Sequence, residues 1–234
     1  MNKIIEYILW LLFPKRCAVC NVLINKGQML CKDCSDNIER IKKVCIVCGN
    51  DKKFCVCKRR TFHFRGATSV FNHGDYSKQA INFFKFRGNS EIANFLSYEM
   101  IINIKENFQD IKFDYVIPVP MHPFKKFIKG FNHSELLAKK IACGLGVKYA
   151  SPIKKLRFNT TQHSSTYQKR RENVKGLFCC EQIKAKNILL IDDIKTTGAT
   201  LDECARQLMF GGVHNVYCAT AVSNYYGKTT VEKK

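Results

Sequence analysis

The stretch ILLIDDIKTTGAT, residues 188–200, decides the fold. Its run of apolar residues predicts a buried β-strand, and Asp192 and Asp193 follow where that strand is expected to end. The loop that comes next consists of Lys195, Thr196, Thr197, Gly198, Ala199 and Thr200. Backbone N–H groups, threonine hydroxyls and the positive end of a helix dipole would converge there on one anion, a pattern typical of phosphate binding.

Elements on both sides of this stretch predict an α/β fold. Residues 114–119 and 213–222 have the composition of buried strands, and helices are predicted after caps at Asn132 and Thr200. The apolar stripe of the second helix consists of Leu201, Cys204, Ala205, Leu208 and Met209. Apolar strands alternating with helices predict a doubly wound, mostly parallel sheet, and ligands on such sheets bind at the carboxyl ends of the strands.

A cysteine-rich segment precedes the predicted sheet. Eight of the 13 cysteines lie within residues 17–57, as three CxxC steps followed by one CxC step. Because Zn²⁺ takes four thiolates, the simplest pairing gives two structural sites, although ligands that interleave between the sites remain an alternative. The two sets are Cys17, Cys20, Cys31 and Cys34, and Cys45, Cys48, Cys55 and Cys57.

Composition and cysteine usage narrow the class of protein. Lys and Arg number 39 against 19 Asp and Glu, a formal charge of +20 that favours nucleic acid, a phosphorylated substrate or an acidic membrane surface as partner. The odd number of cysteines and the lack of a signal peptide predict a reducing, cytoplasmic location. The apolar run at residues 4–13 is too short to span a bilayer and predicts an amphipathic helix, so the inner face of the membrane is an alternative location.

Three regions are therefore predicted along the chain. Residues 1–16 form the amphipathic helix, residues 17–60 the zinc-ribbon module, and residues 61–234 the α/β domain. Lys58, Arg59 and Arg60 are expected to form the linker.

The acidic pair and its loop resemble the signature of type I phosphoribosyltransferases. That signature is a hydrophobic strand, Asp-Asp, two residues, Thr-Thr-Gly, one residue and Thr, and here it covers residues 188–200. The resemblance implies that Asp192 and Asp193 hold the ribose hydroxyls of phosphoribosyl pyrophosphate. It also implies that residues 196–200 hold the 5-phosphate and that Mg²⁺ binds together with this ligand.

Four further segments resemble the ComF family of competence proteins. They are Phe13-Pro14-x-x-Cys17-x-x-Cys20, the FKFRG sequence at 84–88, PVPMHPFKKFIKGFN at 118–132, and Arg157-x-x-x-Thr161-Gln162 with the residues up to 178. The resemblance implies a zinc ribbon joined to a phosphoribosyltransferase-like domain and a role in natural transformation. The implied partners are single-stranded DNA and proteins of the competence machinery, such as a DNA helicase or translocase and a DNA-processing protein.

Two basic segments would complete the site. The loop with Lys125, Lys126 and Lys129 is expected to hold pyrophosphate, with a solvated or DNA-binding loop as the alternative. The polar segment 157–178 is expected to act as a lid, with a polynucleotide-binding or disordered loop as the alternative. The candidate ligand-binding side chains of this segment are Arg157, Arg170 and Arg171.

Two functions from different classes follow. The first is a phosphoribosyltransferase in which a nucleophile attacks C1 of the ribose and pyrophosphate leaves, the acceptor being unknown. The second is a non-catalytic, single-stranded DNA-binding competence factor with a vestigial or regulatory sugar-phosphate pocket, and the high positive charge favours it.

Overall fold

A computed structural model describes residues 14–58, 60–87, 90–157 and 167–224. The predicted helix at residues 4–13, Arg59 of the linker and residues 158–166 of the predicted lid lie outside the described residues.

In chain order the strands are β1 (Gly66–Asn72), β2 (Tyr115–Pro118), β3 (Lys148–Tyr149), β4 (Ile153–Lys155), β5 (Phe178–Cys180), β6 (Ala185–Lys195) and β7 (Val213–Ser223). The α-helices are α1 (Lys32–Asn37), α2 (Asp75–Arg87), α3 (Ser90–Asn107), α4 (Pro123–Lys129), α5 (His133–Leu145), α6 (Tyr167–Glu172) and α7 (Ala199–Phe210). A short 3-10 helix covers Lys52–Phe54.

Five strands form one parallel sheet in the order β1-β7-β6-β2-β3, while β4 and β5 form a separate antiparallel pair. One buried cluster packs α2, α3 and α5 on one face of the sheet, and a second packs α7 and the β4–β5 pair on the other. The strands are apolar on both faces because both are covered. The prediction of a doubly wound, mostly parallel sheet with an N-terminal cysteine module is confirmed.

The chain changes direction across the sheet between β2 and β6. From β2 it continues outward to β3, whereas from β6 it continues the opposite way to β7. The two strands are adjacent, with Pro118 paired to Ile191. The connections that leave their carboxyl ends therefore diverge and open a crevice, which is where ligands of doubly wound sheets bind.

Local details correct three predictions. β6 runs on through the acidic pair to Lys195, so both acids lie within the strand rather than after it. Helix α7 begins at Ala199 with Gly198 as its N-cap, so the predicted cap at Thr200 is wrong. Met209 was predicted on the buried stripe of that helix but is 44% exposed.

The cap at Asn132 is confirmed, because its side chain accepts a hydrogen bond from the Ser134 N–H at 3.2 Å. This cap begins α5 directly beneath the loop that follows β2.

The cysteine module lies along the outer strand of the sheet. Ile41 N–H donates to Val70 O at 2.8 Å, and Ala67 N–H donates to Ile46 O at 2.8 Å. The module thereby covers the edge of β1, whose backbone groups would otherwise be open to pairing with another chain.

Candidate functional site

Two carboxylates mark the end of β6. Asp192 Oδ1 accepts a hydrogen bond from Ser134 Oγ at 2.7 Å. Asp193 Oδ2 lies 2.9 Å from Lys85 Nζ, and its Oδ1 accepts from the Ile194 N–H at 2.8 Å. Each acid is thus oriented by a different helix, Asp192 by α5 and Asp193 by α2.

The environment of the acids changes their protonation. Burial, together with the negative charge of Asp193, raises the pKa of Asp192 to about 7, although the Ser134 hydrogen bond opposes the shift. Near neutral pH such a carboxyl is about half protonated, and a hydroxyl donor or a cation beside it would stabilise its ionised form. This arrangement suits a diol or a metal-bound diol better than a second anion.

Residues 196–200, which we call the glycine loop, comprise the turn after β6 and the first two residues of α7. Gly198 has φ of 81°, a backbone conformation in which a side chain is strained, and it caps α7. A Cβ atom at this position would also lie 3.4 Å from the Phe62 ring. Gly198, the N-cap of α7, has no side chain to accept from the N–H groups of the first helical turn, so an anion can take that place.

Threonine hydroxyls line the glycine loop. Thr197 Oγ1 accepts a long hydrogen bond from the Ala199 N–H at 3.4 Å, and Thr196 Oγ1 accepts from Arg170 Nη1 at 3.2 Å. Backbone donors and hydroxyls of the glycine loop thus lie together with an arginine from α6, a donor set that suits a phosphate group.

Lys195 differs from its predicted role. It was predicted as part of the phosphate-binding loop, but its side chain is only 4% exposed and its ammonium donates to Asn50 Oδ1 and to Ser223 Oγ, the latter at 3.2 Å. Burial lowers the pKa of Lys195 to about 8. The aliphatic part of the side chain lies beside Gly198, with Cδ 4.0 Å from the position of a Cβ there.

The predicted lid contacts the glycine loop through α6. Arg170 donates to Thr196, and Arg171 Nη2 lies 3.4 Å from Asp202 Oδ2 in the first turn of α7. Asp202 also accepts from His63 N–H at 2.5 Å. Arg157 lies just beyond β4 and is exposed. The structure therefore brings Arg170 and Arg171, predicted from sequence, to the mouth of the site.

The lysines of α4 have different surroundings. Lys126 Nζ pairs with Glu135 Oε2 at 2.8 Å, so its charge is already engaged. Burial and the charge of Lys125 lower the pKa of Lys129, whose neighbours also include Lys85 and Asp193. Lys129 thus lies near the acidic pair, whereas Lys126 belongs to an ion pair on the outer side.

Three residues at the site were not among the sequence candidates. Ser134 and Lys85 bind the two acids directly. Lys155 on β4 interacts electrostatically with both Lys125 and Asp192. Lys85 lies in the FKFRG segment and Ser134 lies two residues after the Asn132 cap. The sequence therefore indicated that these segments matter, but it did not indicate these two residues.

A cavity of about 390 Å³ lies between the loop after β2 and strand β4, on the side of Lys155. Its lining includes Asn132, Glu135, Lys126 and Lys155. Asn132 Nδ2 donates to Val119 O at 3.1 Å, which fixes the wall of the cavity to the end of β2.

The cysteines form two separate clusters with the pairing predicted from their spacing. The members are Cys17, Cys20, Cys31 and Cys34 in one and Cys45, Cys48, Cys55 and Cys57 in the other, with all sulfurs of a cluster within 4.8 Å of one another. Four sulfurs about 2.3 Å from a zinc ion lie about 3.8 Å apart. Pairs such as Cys20–Cys31 at 3.6 Å and Cys45–Cys57 at 3.7 Å fit that geometry.

Matching turns follow the first knuckle of each cluster. Asn21 after Cys20 and Gly49 after Cys48 both have positive φ, 65° and 71°. Asparagine and glycine are the residues that adopt this conformation most readily.

These features define a double zinc ribbon joined to a doubly wound α/β domain with an acid-and-loop site at its switch point. Residues 8–61 match the family model "Double zinc ribbon domain", so structural zinc is the metal of the two clusters.

Relatives of known name share most of the chain and confirm its kinship with the ComF proteins. Competence protein ComFC of Bacillus subtilis (strain 168) is 29% identical over 81% of this chain and 82% of its own length. The DNA utilization protein YhgH of Escherichia coli O157:H7 is 27% identical over 87% and 94%. Competence protein F of Haemophilus influenzae is 25% identical over 87% and 95%. The chain is a homologue of these proteins.

Solved structures that resemble the chain are phosphoribosyltransferases. Adenine phosphoribosyltransferase from Saccharomyces cerevisiae aligns at 19% identity and a TM-score of 0.40, over 59% of this chain and 72% of that one. Purine phosphoribosyltransferase from Pyrococcus horikoshii Ot3 aligns at 14% and 0.37, over 55% and 83%.

No helix in the described ranges combines the length and the apolar character needed to cross a bilayer.

Proposed function

We propose that the chain binds phosphoribosyl pyrophosphate with Mg²⁺ at the carboxyl ends of β2 and β6. The observation that carries the proposal is the pairing of two oriented carboxylates with a helix start whose N-cap is a glycine, at the switch point of the sheet. Anions and diols need opposite surroundings, and this site offers both within one connection.

The two halves of the site divide the ligand between them. Asp192 and Asp193 would repel a phosphate, whereas they accept well from the ribose 2- and 3-hydroxyls. The glycine loop offers N–H groups and the hydroxyls of Thr196 and Thr197 to the 5-phosphate, and Arg170 contributes positive charge from α6.

Basic groups on three elements would neutralise the pyrophosphate. Lys85 lies against Asp193, Lys129 lies close to both, and Lys155 lies toward Asp192. Mg²⁺ keeps several waters and binds with few protein ligands, so most of its ligands would come from the substrate oxygens.

In the reaction that this site supports, an acceptor attacks C1 of the ribose and the C1–O bond to pyrophosphate breaks. The bonding electrons would leave with pyrophosphate, whose charge Lys85, Lys129 and Lys155 would neutralise, and bound Mg²⁺ would supply further positive charge. No protein nucleophile takes part, and the chain contributes positioning and charge neutralisation.

Calorimetric titration of the full chain with parts of the ligand tests this division. Phosphoribosyl pyrophosphate with Mg²⁺ should bind most tightly, ribose 5-phosphate more weakly, and pyrophosphate alone most weakly. Binding of pyrophosphate as tight as that of the complete ligand would contradict the roles given to the acids and the glycine loop.

A second candidate function is binding of single-stranded DNA at α4. Phe127 is 86% exposed and Phe124 is 58% exposed, and Lys125 and Lys129 stand on the same short helix. Exposed aromatic rings beside lysines suit bases that stack and phosphates that pair. The names of the relatives, which refer to competence and DNA utilization, agree with this candidate.

Gel shifts with a single-stranded oligonucleotide at several salt concentrations test this second function. Affinity should fall steeply with salt and vary little with sequence. Because Arg170 and Arg171 contact the glycine loop and α7, the triple variant Lys169→Ala, Arg170→Ala, Arg171→Ala should weaken phosphoribosyl pyrophosphate binding more than DNA binding. The reverse result would assign α6 to DNA.

A further inference from the structure

The second zinc ribbon touches the candidate site through one buried lysine. Lys195, the last residue of β6, donates from its ammonium to Asn50 Oδ1 and to Ser223 Oγ. Asn50 is 4% exposed and lies between the ligands Cys48 and Cys55. A charged side chain is thus buried between the ribbon and the strand that ends in the glycine loop.

Asn50 is itself held on three sides. Its Nδ2 donates to Phe54 O at 3.0 Å, its backbone O accepts from the Cys45 N–H at 2.8 Å, and its Oδ1 also accepts from Ser223 Oγ at 2.9 Å. Cys45 is a ligand of the second cluster. The position of Asn50 therefore depends on the knuckle that the zinc ion would close.

The other end of Lys195 lies under the glycine loop. Its Cδ is 4.0 Å from the Cβ position at Gly198, and the Phe62 ring lies 3.4 Å from the same point. Gly198 is thus packed against the aliphatic part of Lys195 and the ring of Phe62. A change in the conformation of the Lys195 side chain would alter the packing of that turn.

The second ribbon also packs tightly on the sheet at its knuckle. A Cβ at Gly49 would lie 3.0 Å from Ala67 Cβ, so the backbone of the knuckle sits directly on β1. The first ribbon packs on a different part of the domain: its buried residues, such as Val19 and Ile38, belong to the cluster that includes α2 and α3, and Tyr76 Oη lies 3.1 Å from Asp33 Oδ2 at the surface. The second ribbon, through Asn50, is the one that bonds to the last residue of β6.

From this asymmetry we propose that the second zinc site positions the glycine loop through Asn50 and Lys195, whereas the first does not. Lys195 is a positioning residue that acts through Gly198. Binding of a sugar phosphate and retention of zinc at the second site are then coupled, and by linkage each strengthens the other. Only the part of this inference that concerns sugar-phosphate affinity rests on the proposed function.

The test compares one cysteine substitution in each ribbon of the full chain. Cys55→Ser removes an exposed ligand of the second cluster, and Cys31→Ser removes one of the first. In nuclear magnetic resonance spectra, Cys55→Ser should shift the Gly198 amide signal while Cys31→Ser leaves it in place. Cys55→Ser should also weaken ribose 5-phosphate binding about tenfold, within the usual range of coupling between sites.

Lys195→Met separates coupling from misfolding. The methionine keeps an apolar stem beside Gly198, and Asn50 and Ser223 still hydrogen-bond to each other, so the variant should fold and keep its zinc. In this background Cys55→Ser should no longer move the Gly198 signal. Asn50→Leu should behave like Lys195→Met, whereas Asn50→Asp, which keeps the acceptor for the ammonium, should retain the coupling.

Three results would overturn the proposal: an unmoved Gly198 signal in Cys55→Ser, an equal shift in Cys31→Ser, or coupling that survives Lys195→Met. The amide signals need no ligand. If ribose 5-phosphate fails to bind the unaltered chain, the proposed function fails while the spectra still decide the coupling.

Discussion

Two connections leave neighbouring strands of the same sheet, yet they offer opposite surfaces. The end of β6 and the connection that follows it carry two acids, a glycine in a left-handed conformation and side chains held by partners from α2, α5 and α6. The connection after β2 carries α4, a seven-residue helix whose Phe127 is 86% exposed. A preorganised site suits a small ligand of fixed shape, while an exposed basic and aromatic helix suits a flexible polymer.

The largest effect that would separate the two surfaces is expected at α4. The double variant Phe124→Ala, Phe127→Ala should weaken single-stranded DNA binding about 100-fold, because each stacked base contributes about 1–3 kcal/mol. Gel shifts measure this loss, and calorimetry with phosphoribosyl pyrophosphate should give an unchanged affinity. An equal loss of affinity for both ligands would show that DNA and phosphoribosyl pyrophosphate bind at one site.

The second effect concerns the glycine loop. Gly198→Ala should weaken phosphoribosyl pyrophosphate binding about 20-fold, because a left-handed non-glycine residue costs roughly 1–2 kcal/mol at the turn proposed to hold the phosphate. Gly130→Ala is the matched control, since it also has positive φ, 81°, but nothing within 4 Å of its Cβ position. The prediction fails if both variants lose the ligand equally.

The third effect is a pH dependence confined to the acid site. Because burial raises the pKa of Asp192 to about 7, its carboxylate gains a proton as pH falls through that value. Sugar binding that needs the ionised form should weaken about tenfold between pH 8 and pH 6. Asp192→Asn should remove this part of the profile, leaving the titration of the ligand's own phosphates, and it should change DNA binding little because Asp192 lies on β6 and not on α4.

The smallest effect is expected at Lys126. Its ammonium pairs with Glu135 at 2.8 Å on a half-exposed surface, and such pairs contribute about 0–1 kcal/mol. Lys126→Ala should change either affinity by less than about threefold, whereas Lys129→Ala, closer to the acids, should lower phosphoribosyl pyrophosphate affinity further. Equal effects in calorimetry would show that Lys126 also reaches the ligand.

Sequence reasoning succeeded where neighbours in the chain are neighbours in space. The order of apolar strand, acids, loop and helix lies within residues 188–200, and the cysteine pairing follows from short spacings. Both features involve residues that are close in the chain, so they can be recognised from the sequence without knowing how the chain packs.

Contacts between segments that are distant in the chain could not be predicted from the sequence. Lys195 and Asn50 are 145 positions apart and Ser134 and Asp192 are 58 apart, so only the folded sheet brings them together. The cap of α7 shifted to Gly198 because the turn after β6 needs a left-handed residue, which outweighs the capping preference of Thr200.

Titration of the double variant Asp192→Asn, Asp193→Asn with phosphoribosyl pyrophosphate and Mg²⁺ tests the central claim most directly. Calorimetry should give clear binding by the unaltered chain and by Asp110→Asn, an exposed acid outside the site. The double variant should lose at least about 100-fold in affinity, because each lost hydrogen bond to a charged group costs about 1.5–3 kcal/mol. An affinity equal to that of the unaltered chain would remove the acidic pair from the site and contradict the account.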